Sequence, residues 1–156
     1  MQYDFRKVNG PKVNLPKHCN EVFAENPDTK IIIGTDSQNY DFKTTYVTVI
    51  AFRYNQRGVH CIYRKIVYDW NTDQRFRDNW YRLYHEAELS VAAAKWIDAN
   101  TPYDVISIDL DYNSDPAYLS NTVLSAGKGL AVASGYQCNV KPDSQIAAKA
   151  ADNFCR

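Results

Sequence analysis

The chain has 156 residues, 45% of them hydrophobic and 23% charged, which fits one domain with a real core. Eighteen basic residues balance eighteen acidic ones, so binding to a polyanion by bulk charge alone is excluded as the main mode. No apolar stretch approaches membrane-spanning length, and Met1–Lys7 lacks the apolar core of a signal peptide, so the expected location is cytoplasmic.

Taken in chain order, residues 1–28 read as an N-terminal extension with a turn at Asn9-Gly10-Pro11 and a short helix over Pro16–Ala24, closed by Asn26-Pro27. Lys30–Asp36 is an apolar, β-branched run that leads straight into an acid, the pattern of a buried strand ending near a carboxylate. Thr44–Tyr54 is a second strand, Asn55-Gln56-Arg57-Gly58 a turn, and Val59–Tyr68 a third strand. Arg75–Ala99 carries Leu83, Ala87, Val91, Ala94 and Ile97 at helical spacing, and Pro102 follows its end. Val105–Leu110 is a fourth strand, Ala117–Ala133 a second long helix, and Tyr136–Val140 a fifth strand. Pro142-Asp143-Ser144 opens a last helix to about Phe154. The order βββαβαβα predicts a single α/β domain over 1–156. Its five-stranded mixed sheet has strands 1, 4 and 5 parallel, an antiparallel wing, and helices on both faces.

Two acids delivered by two core strands, Asp36 and Asp109, carry the chemical signal. A carboxylate is costly in a sheet unless it is paired or holds a cation. Hard cations such as Mg²⁺ or Mn²⁺ take oxygen ligands. The pattern points to phosphoryl-transfer chemistry on nucleic acid. Asp111, two residues on, points to the same face if the strand continues. Cys19, Cys61, Cys138 and Cys155 form no C-x-x-C pair and no zinc spacing with histidine, so each reads as a buried or incidental thiol. The twelve tyrosines and three tryptophans suit sheet packing and edge shielding, with stacking on bases the less frequent use.

The stretches Ile31-Ile32-Ile33-Gly34-Thr35-Asp36-Ser37-Gln38 and Val140-Lys141-Pro142-Asp143, with Ala150-Ala151-Asp152 behind them, resemble the ribonuclease H-like YkuK family. Ile108-Asp109-Leu110 and Ser134-Gly135-Tyr136 stand at matching places between them, so the resemblance covers roughly residues 30–156. It implies a ribonuclease H-like fold and a nuclease that hydrolyses phosphodiester bonds of RNA, DNA or a hybrid with two Mg²⁺ or Mn²⁺ ions. It also implies four acids. The first is Asp36 and the third Asp109. The second comes from the long helix, where Glu86 lies on the edge of the apolar stripe and Glu88 on a wetter face, which favours Glu86. The fourth is Asp143 or Asp152: an acid near the helix start favours Asp143, and the Ala-Asp pattern favours Asp152, the preferred choice. Ser37 and Gln38 are candidates to shape a substrate loop, and Lys141 to meet a phosphate oxygen. His60 and His85 are weak candidates for proton transfer, and His18 carries no visible chemistry. The rival expectation is a ribonuclease H-like binding or scaffold module without turnover. Oligomeric state is not legible.

Overall fold

The computed structural model describes residues 4–55, 58–110 and 118–140, with 118–121 described by backbone only. Six strands form one sheet: β1 (Arg6–Lys7), β2 (Lys30–Tyr40), β3 (Lys43–Arg53), β4 (Val59–Asp69), β5 (Val105–Leu110) and β6 (Gln137–Val140), in the order β1-β4-β3-β2-β5-β6. β2, β3 and β4 are antiparallel neighbours, whereas β2–β5 and β5–β6 are parallel. The helices are α1 (Leu15–Glu25), α2 (Asn79–Asn100) and α3 (Tyr118–Ala133).

Five strands were expected, and β1 is the sixth. It is too short to leave a periodic signal, and it pairs antiparallel with Ile62 and Tyr63 of β4. Phe5 beside it is fully buried and joins Leu15, Cys19 and Val22 of α1 in the main core, so the segment read as an extension packs into the domain. The helix expected from Arg75 begins later. Gln74–Arg77 is a single 3₁₀ turn, and Asp78, in an extended conformation, stops it and caps α2 by accepting a bond from Trp80 N–H. The first long strand runs on past Asp36 to Tyr40, because β3 pairs with it through Asn39–Thr44 and Tyr40–Lys43. Asp41 and Phe42 close that hairpin with φ values of 52° and 59°.

Side chains alternate across a strand, so β2 divides its residues between two faces. Ile31 and Ile33 join Ile50, Phe52, Ile62 and residues of α1, α2 and α3 in the larger core. Ile32 joins Val47, Val49 and Ala51 in a second cluster on the other face. All three described helices therefore contribute to one face; the last helix expected from Pro142 lies outside the described residues. Between β2 and β5 the register shifts: Ile31 pairs with Val105, but Ile32 pairs with Ser107, leaving Ile106 as an extra, 44% exposed residue. From there Ile33 faces Ile108, and Gly34 faces Asp109.

Candidate active site at the carboxyl ends of the parallel strands

The β2–β5 ladder ends near Gly34–Asp109, and Asp36 lies two residues farther along β2. In open α/β sheets, ligands bind outside the carboxyl ends of parallel strands. Because Asp109 is level with Gly34, and Gly34 and Asp36 share a face, the two carboxylates stand on the same side of the sheet, the side of the second cluster. Asp109 is only 2% exposed, while Asp36 is half-buried. On β6, Asn139 pairs level with Asp109, and its Nδ2 donates to Asp109 Oδ1 at 3.3 Å and to Ser107 Oγ at 3.0 Å. The amide thus ties Asp109 to its neighbour strand. Sequence reasoning passed over Asn139, although the alternation of Gln137, Cys138, Asn139 and Val140 was its visible signal.

Glu86 arrives from the other side. It is 2% exposed on α2, and its Oε2 accepts a 2.5 Å hydrogen bond from Ser37 Oγ. Arg82, one turn earlier, donates from Nη1 to Ser37 Oγ at 2.9 Å and to Ser37 O at 3.4 Å. Tyr46, opposite Ser37 on β3, donates its hydroxyl to Arg82 O at 2.8 Å. Burial pushes that phenol far up, and the Glu86 carboxylate adds to the shift, so Tyr46 stays protonated and donates. Arg82 Nε is buried without a hydrogen-bond partner among the described residues. One turn deeper, Thr35 Oγ1 bonds Ser90 Oγ at 2.8 Å and Thr48 Oγ1 at 2.9 Å. Ser37 and Gln38 lie on a strand and not on a loop. Ser37 points into this buried layer, and Gln38 shares the face of Asp36.

Glu88 is half-buried and bonds His85 Nδ1 at 3.1 Å, while His85 Nε2 meets Tyr68 Oη at 3.2 Å. That chain runs along α2 toward β4. His18 and His60 meet through their Nε2 atoms at 2.8 Å, a pair with no sequence signal because forty-two positions separate them. The thiols of Cys19, Cys61 and Cys138 are free and raised by burial, Cys19 up to about 11, which keeps them neutral and poor as nucleophiles or thiolate ligands. Asp111, Lys141, Asp143, Asp152 and Cys155 lie outside the described residues.

A family model described as ribonuclease H-like matches residues 17–156. The chain belongs to the ribonuclease H-like family. The match begins earlier than the motifs do and takes in most of α1. No curated protein and no solved structure matches the chain.

The donor set suits a hard cation. Asp36 and Asp109 offer carboxylate oxygens on one face, with no thiolate or imidazole beside them in the register. Among the described residues, no three histidine, cysteine, aspartate or glutamate side chains gather into a metal-binding group. Carboxylate oxygens are the donor type that Mg²⁺ takes alongside water and substrate phosphate. No described helix is long and apolar enough to cross a membrane.

Proposed function

We propose that this protein is a divalent-metal-dependent nuclease that hydrolyses phosphodiester bonds of RNA or DNA. The observation that carries the reading is the placement of Asp36 and Asp109 on one face, at the carboxyl ends of parallel neighbours, in a chain of this family. Asp36 and Asp109 would hold Mg²⁺ or Mn²⁺, with an acid from Asp143 or Asp152 as the further candidate; Glu86, bonded to Ser37 on the opposite face of β2, supports the strand that carries Asp36. When bound, two such ions supply Lewis-acid stabilisation of the phosphoryl oxygens and lower the pKa of the attacking water. The chain's own part is to present the two carboxylates on one face of neighbouring parallel strands. Asn139 fixes the rotamer of Asp109 by its hydrogen bond, and Ser37 fixes that of Glu86.

The test is incubation with labelled single-stranded RNA, double-stranded DNA, RNA–DNA hybrid and branched substrates, in Mn²⁺ and in EDTA. Cleavage that requires Mn²⁺ and disappears in Asp36→Asn and Asp109→Asn is the expected result. Cleavage that survives EDTA, or that both variants retain at the wild-type rate, overturns the reading. Nucleic-acid binding without turnover on any substrate would leave a scaffold module instead.

A further inference from the structure

Beyond Asp36, the same face of the sheet stays open. Asp36, Gln38 and Tyr40 alternate along β2 onto that face, and directly opposite them on β3 stand Val47, Thr45 and Lys43. The next strand continues the rows with Lys65, Val67 and Asp69. Tyr40 is 85% exposed and Val67 52% exposed, and Lys43 and Lys65 are exposed as well. A large aromatic ring, an apolar patch and two cations thus share a plane with the acids.

The hairpin tip adds a second, independent observation. Phe42 sits at φ 59° and is 66% exposed. A bulky residue in the left-handed region is strained, and this two-residue turn favours Asn-Gly or Asp-Gly. Here Asp41 is followed by phenylalanine where glycine would be easier. The ring is nevertheless held: Trp70 meets it edge-on at 6.0 Å, and Trp70 N–H donates to Phe42 O at 3.0 Å. Trp70 Nε1 in turn donates to buried Thr44 Oγ1 at 2.9 Å, so Phe42 and Trp70 lie toward the helix-covered side and brace the turn that follows Tyr40.

We propose that Tyr40 is a stacking platform for unpaired nucleotides, with Lys43 and Lys65 meeting the phosphates, so that the substrate of the Asp36–Asp109 site has a single-stranded segment. The inference rests on the nuclease reading for its direction, not for its binding surface. Bases of any sequence stack on aromatic rings, and two lysines supply a modest electrostatic share. Of the acids around Tyr40, Asp69 is occupied locally by accepting from Asn71 N–H at 2.9 Å, Asp36 belongs to the proposed metal site, and Asp41 stands exposed at the turn. Four residues of strand put Tyr40 roughly 13 Å from Asp36. That distance is about four rises of a stacked strand at 3.4 Å each. Substrates with a single-stranded flank of about four nucleotides or more should therefore outperform blunt ones.

The test is fluorescence anisotropy with labelled single-stranded and blunt duplex oligonucleotides of about 12 nucleotides. It is run in EDTA so that cleavage plays no part. Single strands should bind more tightly than duplex, with a salt slope of about −1.4 for two phosphate contacts. Tyr40→Ala should weaken single-strand binding about tenfold, and Tyr40→Phe should retain it. Phe42→Gly, on the other side of the turn, should keep single-strand binding near the wild-type affinity while holding or raising the melting temperature, since Asp-Gly suits the turn. Wild-type affinity in Tyr40→Ala overturns the proposal, as does duplex bound as tightly as single strand, or no oligonucleotide binding. The two readings fail separately. Mn²⁺-dependent cleavage of blunt duplex, equal in all variants, removes the platform and leaves the nuclease. Tyr40-dependent binding without turnover leaves the platform and removes the nuclease.

Discussion

On the α2 side of β2, Thr35 and Ser37 are buried, and their hydroxyls are bonded to Ser90, Thr48, Glu86 and Arg82. On the opposite side of the same strand, Asp36 and Gln38 are half-buried, and Tyr40 is 85% exposed. One face spends its polar groups inside the fold; the other runs from buried Asp109 through half-buried Asp36 and Gln38 to exposed Tyr40. The difference assigns different costs to mutation. Changes on the closed face should appear first as lost stability, and changes on the open face as lost function at unchanged stability.

The sharpest test is Asp36→Asn beside Asp109→Asn. Each should reduce Mn²⁺-dependent cleavage by at least about 100-fold, since even residues that only orient metal ligands are worth 10–100-fold. The melting temperature should hold or rise, because one of two nearby like charges is removed. Activity loss accompanied by a fall in melting temperature would break the comparison.

Next in size is Glu86→Ala. It leaves buried Ser37 without its carboxylate acceptor and opens a cavity on α2, and should cost about 3 kcal/mol in urea unfolding. Glu88→Ala, on a partly exposed side chain, should stay within about 0.5 kcal/mol. In the milder glutamine variants, calorimetry should find the larger loss of Mn²⁺ affinity at Glu86. Equal effects at the two positions would mean that burial does not separate them.

A smaller effect is expected from Thr35→Val, which removes a hydroxyl shared by Thr48 and Ser90 and should cost about 1 kcal/mol. Smallest is a pH effect on the same closed face. His60 is level with Phe52, which is level with Ile31, so the His18–His60 pair belongs to the helix-covered side. Burial lowers both imidazoles below the ordinary 6.5; His60 lowers His18 further, and Lys7 acts on both. The unfolded chain then takes up protons before the folded one does. Stability is complete above about pH 6.5 and is lost as pH falls from there toward the folded values. The melting temperature should drop between pH 7.5 and 5.5, and His60→Gln should flatten that drop. A wild-type curve that rises on acidification would reverse the sign.

Much of this was legible in the residues. The β-branched runs gave the long strands, Pro102 and Asn26-Pro27 marked helix ends, and the stripe from Leu83 to Ile97 gave α2 and put Glu86 on its inner edge. What alternation misjudges is Asp109. Counting in twos from Val105 places Ser107 and Asp109 on Val105's face, the core side. The extra Ile106 reverses that, and the reversal depends on pairing with β2, which no local pattern encodes. Likewise, the Ser37–Glu86 bond, the Asn139–Asp109 bond and the His18–His60 contact join distant positions, and only the tertiary fold brings such partners together.

The two residues of β1 have a consequence for anyone trimming the chain. A fragment starting at residue 17, where the family match begins, would lack Arg6 and Lys7 on the outer edge of β4 and Phe5 beneath them. Ile62 and Tyr63, near the middle of the eleven-residue β4, would then lose their antiparallel neighbours on that edge. Such an edge recruits strands from other molecules. The short N-terminal strand thus acts as a doorstop against self-association, and solubility at high concentration is the property that its loss would cost first.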